Sequence, residues 1–129
     1  MDRKEYAVTL KHSGCNCAQA VLCAFAEDKT QPKEEMMKLG ACFGVGMGCM
    51  QGTCGALVAV EILIGMKAYQ GQPMLRDAAL LHQRFVNLCG ASICRELKGI
   101  ESGTVLCECD DCVRNAVMLA EESLGDKVV

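Results

Sequence analysis

GVGMGCMQGTCGALVAVEILIG, Gly44–Gly65, joins a glycine-rich segment to an apolar stretch. Its second half is interrupted only by Glu61 and reads as a helix apolar nearly all round, of the kind packed on several sides. The expected end lies between Met66 and Gln70, before Gly71-Gln72-Pro73. Thr53 is the predicted N-cap, which makes Cys54 the first helical residue. A helix N-terminus carries partial positive charge and unpaired N–H groups, so a thiolate is favoured there. The glycine segment is no phosphate cradle, because it lacks G-K-[ST] and any preceding strand.

The flanking sequence reads as further helices. Residues 2–12 form a first helix with Tyr6, Ala7 and Leu10 inward, broken at Ser13-Gly14. Asn16-Cys17-Ala18-Gln19 is a capping box, with Asn16 as N-cap and Gln19 at the third helical position. It opens a helix to about Glu27, with Val21, Ala24 and Phe25 on its apolar face. Thr30 to Lys33 is a turn leading to a third helix that reaches about Phe43. Residues 74–89 form another, with Leu75, Ala78, Ala79, Leu81, His82, Phe85, Val86 and Cys89 inward and Gly90 as its stop. Ser92 is the predicted cap of a short helix through Leu97, which sets Cys94 in its first turn. A last helix runs from about Asp111 to Ser123, with Cys109 and Cys112 flanking its start. No segment alternates with period two, so no strand is expected. The predicted fold is all-α, a compact single-domain bundle of about five to seven helices spanning residues 1–129.

Composition agrees. The 129 residues are 51% hydrophobic, 4% aromatic and hold only two prolines, so the core is aliphatic and helix formers dominate. The formal net charge of −3 leaves no basic footprint for nucleic acid. The N-terminus is mixed in charge and has no apolar signal core. The longest apolar stretch, Cys54–Met66, falls short of the roughly 20 residues that span a bilayer. The expectation is a cytoplasmic protein with no membrane span.

There are eleven cysteines. An odd number without an export signal argues for metal or thiol chemistry over a disulfide framework. Cys17, Cys54, Cys94 and the pair Cys109 and Cys112 all fall at predicted helix starts. Converging, these starts make a ring of sulfur donors among N–H groups. That suits an anionic iron–sulfur cluster, usually held by four cysteines.

Four stretches carry a resemblance: NCAQAVLCAF (16–25), FGVGMGCMQGTCGALVAVEILIG (43–65), ICRELKG (93–99) and CDDCVRNAV (109–117). In this order they resemble the C-GCAxxG-C-C family of redox-active proteins. The hallmark cysteines map to Cys17, Cys54, Cys94 and Cys109, with Cys112 completing a C-x-x-C. One departure is Ala59, which stands where C-G-A-x-x-G has its last glycine. Another is Glu61, where the family has an apolar residue. The resemblance implies a small redox protein. A similar domain is joined to a c-type haem segment in split-Soret cytochromes, where an iron–sulfur centre accompanies it. No C-x-x-C-H occurs here, so no covalent haem is expected.

The leading expectation is an electron carrier rather than a substrate-transforming enzyme. Its cluster is bound by Cys17, Cys54, Cys94 and Cys109 or Cys112, and it works with a redox partner protein. One alternative is metal-free thiol–disulfide chemistry at Cys109–Cys112 or Cys49–Cys54. Others are a cysteine-ligated zinc module and a partner-binding subunit whose cysteines are mostly core. Cys23, Cys42 and Cys89 read as small core hydrophobes. Cys15, Cys49 and Cys107 sit close to hallmark positions as spare ligands or resolving thiols. His12 is a candidate ligand beside Cys17, His82 a packing residue, and Met47 and Met50 candidate pocket walls. Glu61 reads as an acid at a helix edge or a subunit interface, the alternative being a buried acid with a raised pKa. The apolar helix 54–66 suits a core shared with a second copy, so a homodimer is expected.

Overall fold

A computed structural model describes residues 1–27 and 31–125. Among the described residues there are seven right-handed helices: α1 Arg3–His12, α2 Cys17–Ala24, α3 Lys33–Gly40, α4 Gly55–Ala68, α5 Leu75–Cys89, α6 Cys94–Leu97 and α7 Cys109–Leu124. Among the described residues there are only two isolated β-bridges, Glu27 with Gln31 and Thr53 with Ile93, and no strand. The expected turn at Thr30 lies outside the described residues. α2 stops at Ala24 and α3 at Gly40, each about three residues short of expectation.

α4 is the centre of the bundle. Gly55, Ala56, Leu57, Ala59, Val60 and Leu63 are all buried, which its all-round apolarity requires. α2 and α7 pack on it, α1 lies across α2 and α7, and α5 packs on α7. Phe25, Phe85, Leu22, Leu57 and Leu119 fill the interior. Each such side chain contributes roughly 1.5–3 kcal/mol through burial. Val58, Ile62 and Ile64 are half-buried and Met66 is exposed, so part of the apolar surface of α4 stays uncovered within the chain.

α1 and α7 run antiparallel, and charge pairs clamp them. Arg3 meets Glu121 at 2.8 Å, Arg114 meets Glu5 at 2.9 Å, and Lys11 meets Asp110 at 3.1 Å. Such partly exposed pairs contribute at most about 1 kcal/mol each. Their larger effect is to set the C-terminus of α1 beside the N-terminus of α7. The inward faces need four corrections. Tyr6 is exposed, and Ala7, Val8 and Leu10 carry the inner face of α1. On α5 only Leu81, Phe85 and Cys89 are buried. Leu75, Ala79 and His82 point outward, because α5 touches the bundle along one narrow stripe.

Candidate metal centre

Gly44–Met47 is no right-handed helix. Val45 and Gly46 have left-handed dihedrals, φ 53° and 56°, and Met47 and Met50 follow at φ 62° and 63°. The chain curls tightly and then runs antiparallel to residues 92–95. The Cys54 N–H donates to the Ser92 carbonyl at 2.7 Å, Cys94 N–H to Gly52 at 3.0 Å, and Arg95 N–H to Met50 at 2.8 Å. These bonds fix Cys54 and Cys94 side by side. Glycine is needed at two of these places. A Cβ on Gly46 would lie 2.5 Å from the Cys94 Cβ, and one on Gly55 would lie 2.8 Å from the Cys17 Sγ.

The caps differ in detail from expectation. The Asn16–Gln19 capping box is complete, its two bonds 2.8 and 3.0 Å long, and it makes Cys17 the first residue of α2. Cys54 itself is the N-cap of α4, since Thr53 is drawn into the bridge with Ile93. Ile93, not Ser92, precedes α6. α7 begins at Cys109, two residues earlier than expected, behind Glu108.

The N-terminal ends of α2, α4, α6 and α7 meet at a cavity of about 230 Å³. Cys17, Cys54, Cys94, Cys109 and Cys112 all line it, and so do Cys15 and Cys107. Lys11 and Lys98 also line it, the only basic side chains to do so among the described residues. Cys54, Cys94 and Cys112 are buried, while Cys17 and Cys109 are half-buried.

The thiols are not equivalent. Those of Cys112 and Cys17 donate to Cys54, and the N–H groups of Ala56 and Leu57 add to the effect, so the Cys54 pKa falls well below the usual thiol range despite burial. The bond to Cys54, reinforced by burial, holds Cys17 protonated. Cys112 is raised by its contacts to Cys54 and Cys89. Burial raises Cys94, with Lys98 opposing. Of the helix-start cysteines Cys17, Cys54 and Cys94, the surroundings favour the thiolate at Cys54 alone, chiefly through its thiol neighbours. At Cys17 and Cys94 desolvation and a neighbouring thiolate outweigh the helix dipole.

Other candidates fall elsewhere. Cys42 is exposed, beyond the end of α3, and is no core residue. Cys49 is also exposed and turns its thiol to the Gly46 carbonyl at 3.6 Å. His12 is committed to Asp110 at 2.8 Å. Val45, not Met47 or Met50, lines the cavity. Cys23 is buried as expected.

Cys89 is buried in the core, as expected. It also lies with Cys107 and Cys112 in a group whose sulfurs are all within 4.8 Å of one another, a set able to hold a metal ion. Cys107 and Cys112 are five apart across the start of α7, while Cys89 arrives from the end of α5. Only tertiary packing joins them, and no local spacing signals it.

No described helix is long and apolar enough to cross a membrane. No curated protein and no solved structure matches the chain. A family profile described as "Putative redox-active protein (C_GCAxxG_C_C)" matches residues 15–123, a span that holds every cysteine of the cavity.

Proposed function

The chain belongs to the C-GCAxxG-C-C family, and from that premise we propose that it is an electron carrier whose cavity holds an iron–sulfur cluster on Cys17, Cys54, Cys94 and Cys109. The observation that carries the reading is the convergence of four helix N-termini, each bearing a cysteine, on one sulfur-lined space. Thiolates around a single ion stand about 4 Å apart, given metal–sulfur bonds near 2.3 Å. A void of about 230 Å³ between the thiols suits a larger guest. The donor set fits: it is all sulfur, its backbone N–H groups face inward, and Lys11 and Lys98 offset negative charge. The glycines at 46 and 55 let the backbone close over Cys94 and Cys17.

When bound, such a cluster supplies one-electron transfer at a potential set by hydrogen bonds and solvent exposure. The chain's own residues do the rest. Cys54 gives up its proton first. Lys98 favours the thiolate of Cys94. Buried Leu97 supplies an apolar wall, and a redox partner exchanges electrons at the cavity's rim.

The test is purification under anoxia, or reconstitution with iron and sulfide, followed by visible spectra and iron and sulfide assays. The expected result is charge-transfer absorption with matched iron and sulfide, bleached in Cys17→Ser and Cys54→Ser. A colourless, iron-free chain after reconstitution overturns the reading and leaves thiol–disulfide chemistry as its replacement.

A further inference from the structure

The thiols of Cys89, Cys107 and Cys112 lie beside the cavity and are only partly explained by it. Cys89 is not among the residues that line it, yet its sulfur is within 4.8 Å of both others. We propose that these three cysteines form a second, mononuclear site for a divalent d¹⁰ cation of the zinc class, with an open fourth position. Its three donors are distinct from the four cysteines proposed for the cluster, although Cys107 and Cys112 also line the cavity.

The geometry fits. With zinc–sulfur bonds near 2.3 Å, tetrahedral ligand sulfurs stand about 3.8 Å apart. Sulfurs already within 4.8 Å need shift by no more than about 1 Å to reach that spacing. Three thiols without a nitrogen or oxygen donor select a soft ion. Zinc has no geometric preference from its d electrons and accepts three protein ligands and one exchangeable ligand. Cys89 and Cys112 are buried, which keeps water from two of the three donors.

Two further features belong to such a site. The Asn115 side-chain amide donates to the Cys89 sulfur at 3.3 Å, the kind of outer contact that orients a metal ligand. Cys107 lines both the cavity and a separate outer groove of about 450 Å³. That groove gives the ion a path to the thiols and leaves its fourth position facing solvent. Glu108 and Asp111 stand in the groove wall, balanced there by Lys4 and Arg114, so the selection of the ion falls to the thiols.

Cys107 and Cys112 are shared with the cavity wall, and the second site divides the C-x-x-C. Cys109 serves the larger cavity and Cys112 the second site. The two cysteines are therefore not a redox pair, although their spacing invites that reading.

The experiment uses the full chain carrying Cys17→Ser and Cys94→Ser, reduced and anoxic, titrated with zinc chloride against a chromophoric chelator. X-ray absorption then counts sulfurs around the bound ion. The expected result is one zinc per chain with three sulfurs and one lighter ligand. Cys89→Ser and Cys107→Ser, each added to that background, lower affinity by at least 100-fold. Asn115→Ala lowers it by 10-fold or more with the sulfur count unchanged. Far-UV circular dichroism identifies variants that keep native helicity, and Cys107, only half-buried, is the safest of them. Undiminished zinc affinity in a folded Cys107→Ser variant overturns the proposal. So does a site with four sulfurs, or no stoichiometric zinc in the parent. Failure of the cluster reading shows separately, as missing iron and sulfide in the unsubstituted chain.

Discussion

The backbone N–H of Cys54 donates to the carbonyl of Ser92 across 2.7 Å. That bond ties the start of the central helix to the loop before α6. It places two sulfur-bearing helix starts in register, although 40 residues of chain separate Cys54 from Cys94. The order of the cavity thus rests on main-chain bonds, and its walls respond to changes that remove no cysteine.

Asn16 is one such wall. Its side chain caps α2 and also donates to the carbonyls of Gly40, at 3.0 Å, and Ala41, at 3.4 Å. Asn16→Ala is expected to lower unfolding free energy by about 1–2 kcal/mol. It should also loosen Cys17 and so reduce iron retained on reconstitution. Urea denaturation and metal analysis of one preparation check both effects.

Gly46 and Gly48 differ in a way that separates backbone conformation from space. Both have positive φ, +56° and +84°, but only at Gly46 would a Cβ meet the Cys94 side chain. Gly48→Ala should cost about 1–2 kcal/mol for the left-handed backbone alone. Gly46→Ala should cost about 1–3 kcal/mol more through overlap, with weaker cluster loading. Equal denaturation midpoints for the two variants would contradict this account.

Burial raises the Glu61 carboxyl pKa, with His82 opposing. A folded-state value above the unfolded one means that ionised Glu61 costs stability. The cost is full above the folded pKa. It shrinks as pH falls through that value and vanishes below the unfolded value, about 4.3. Glu61→Gln should therefore raise the melting temperature at pH 7 and leave it unchanged near pH 3.5. Thermal melts at the two pH values decide it.

Thiol reactivity should map the cysteines onto the fold. Cys42 and Cys49 are exposed, whereas Cys23 is buried and its pKa is pushed up to about 11, chiefly by desolvation. Brief alkylation of the native, reduced protein should label Cys42 and Cys49 first and Cys23 only on unfolding, as read by peptide mass spectrometry. Cys42→Ser should change stability by no more than about 0.5 kcal/mol.

The helices were legible where side chains speak locally. The Asn16–Gln19 box, the stop at Gly90 and the buried α4 all follow from spacing and cap chemistry. Boundaries slipped where a tertiary contact claimed the cap, as when Thr53 bridges Ile93 and leaves Cys54 at the N-cap. Cys89 was hidden because its partners arrive from another helix. Leu75 misled because apolar periodicity shows a face without showing where it stops being covered.

The curl at 45–50 was the least legible part, and it has a cost. Val45, Met47 and Met50 all hold positive φ, which a β-branched residue such as Val45 resists strongly. Each such residue stores roughly 1–3 kcal/mol against the hydrogen bonds that close the curl. This corner is consequently under tension. Its amides should exchange with solvent before those of α2, α4 or α7, through a local opening that leaves the core intact. The door to the sulfur-lined space is thus its most easily sprung wall.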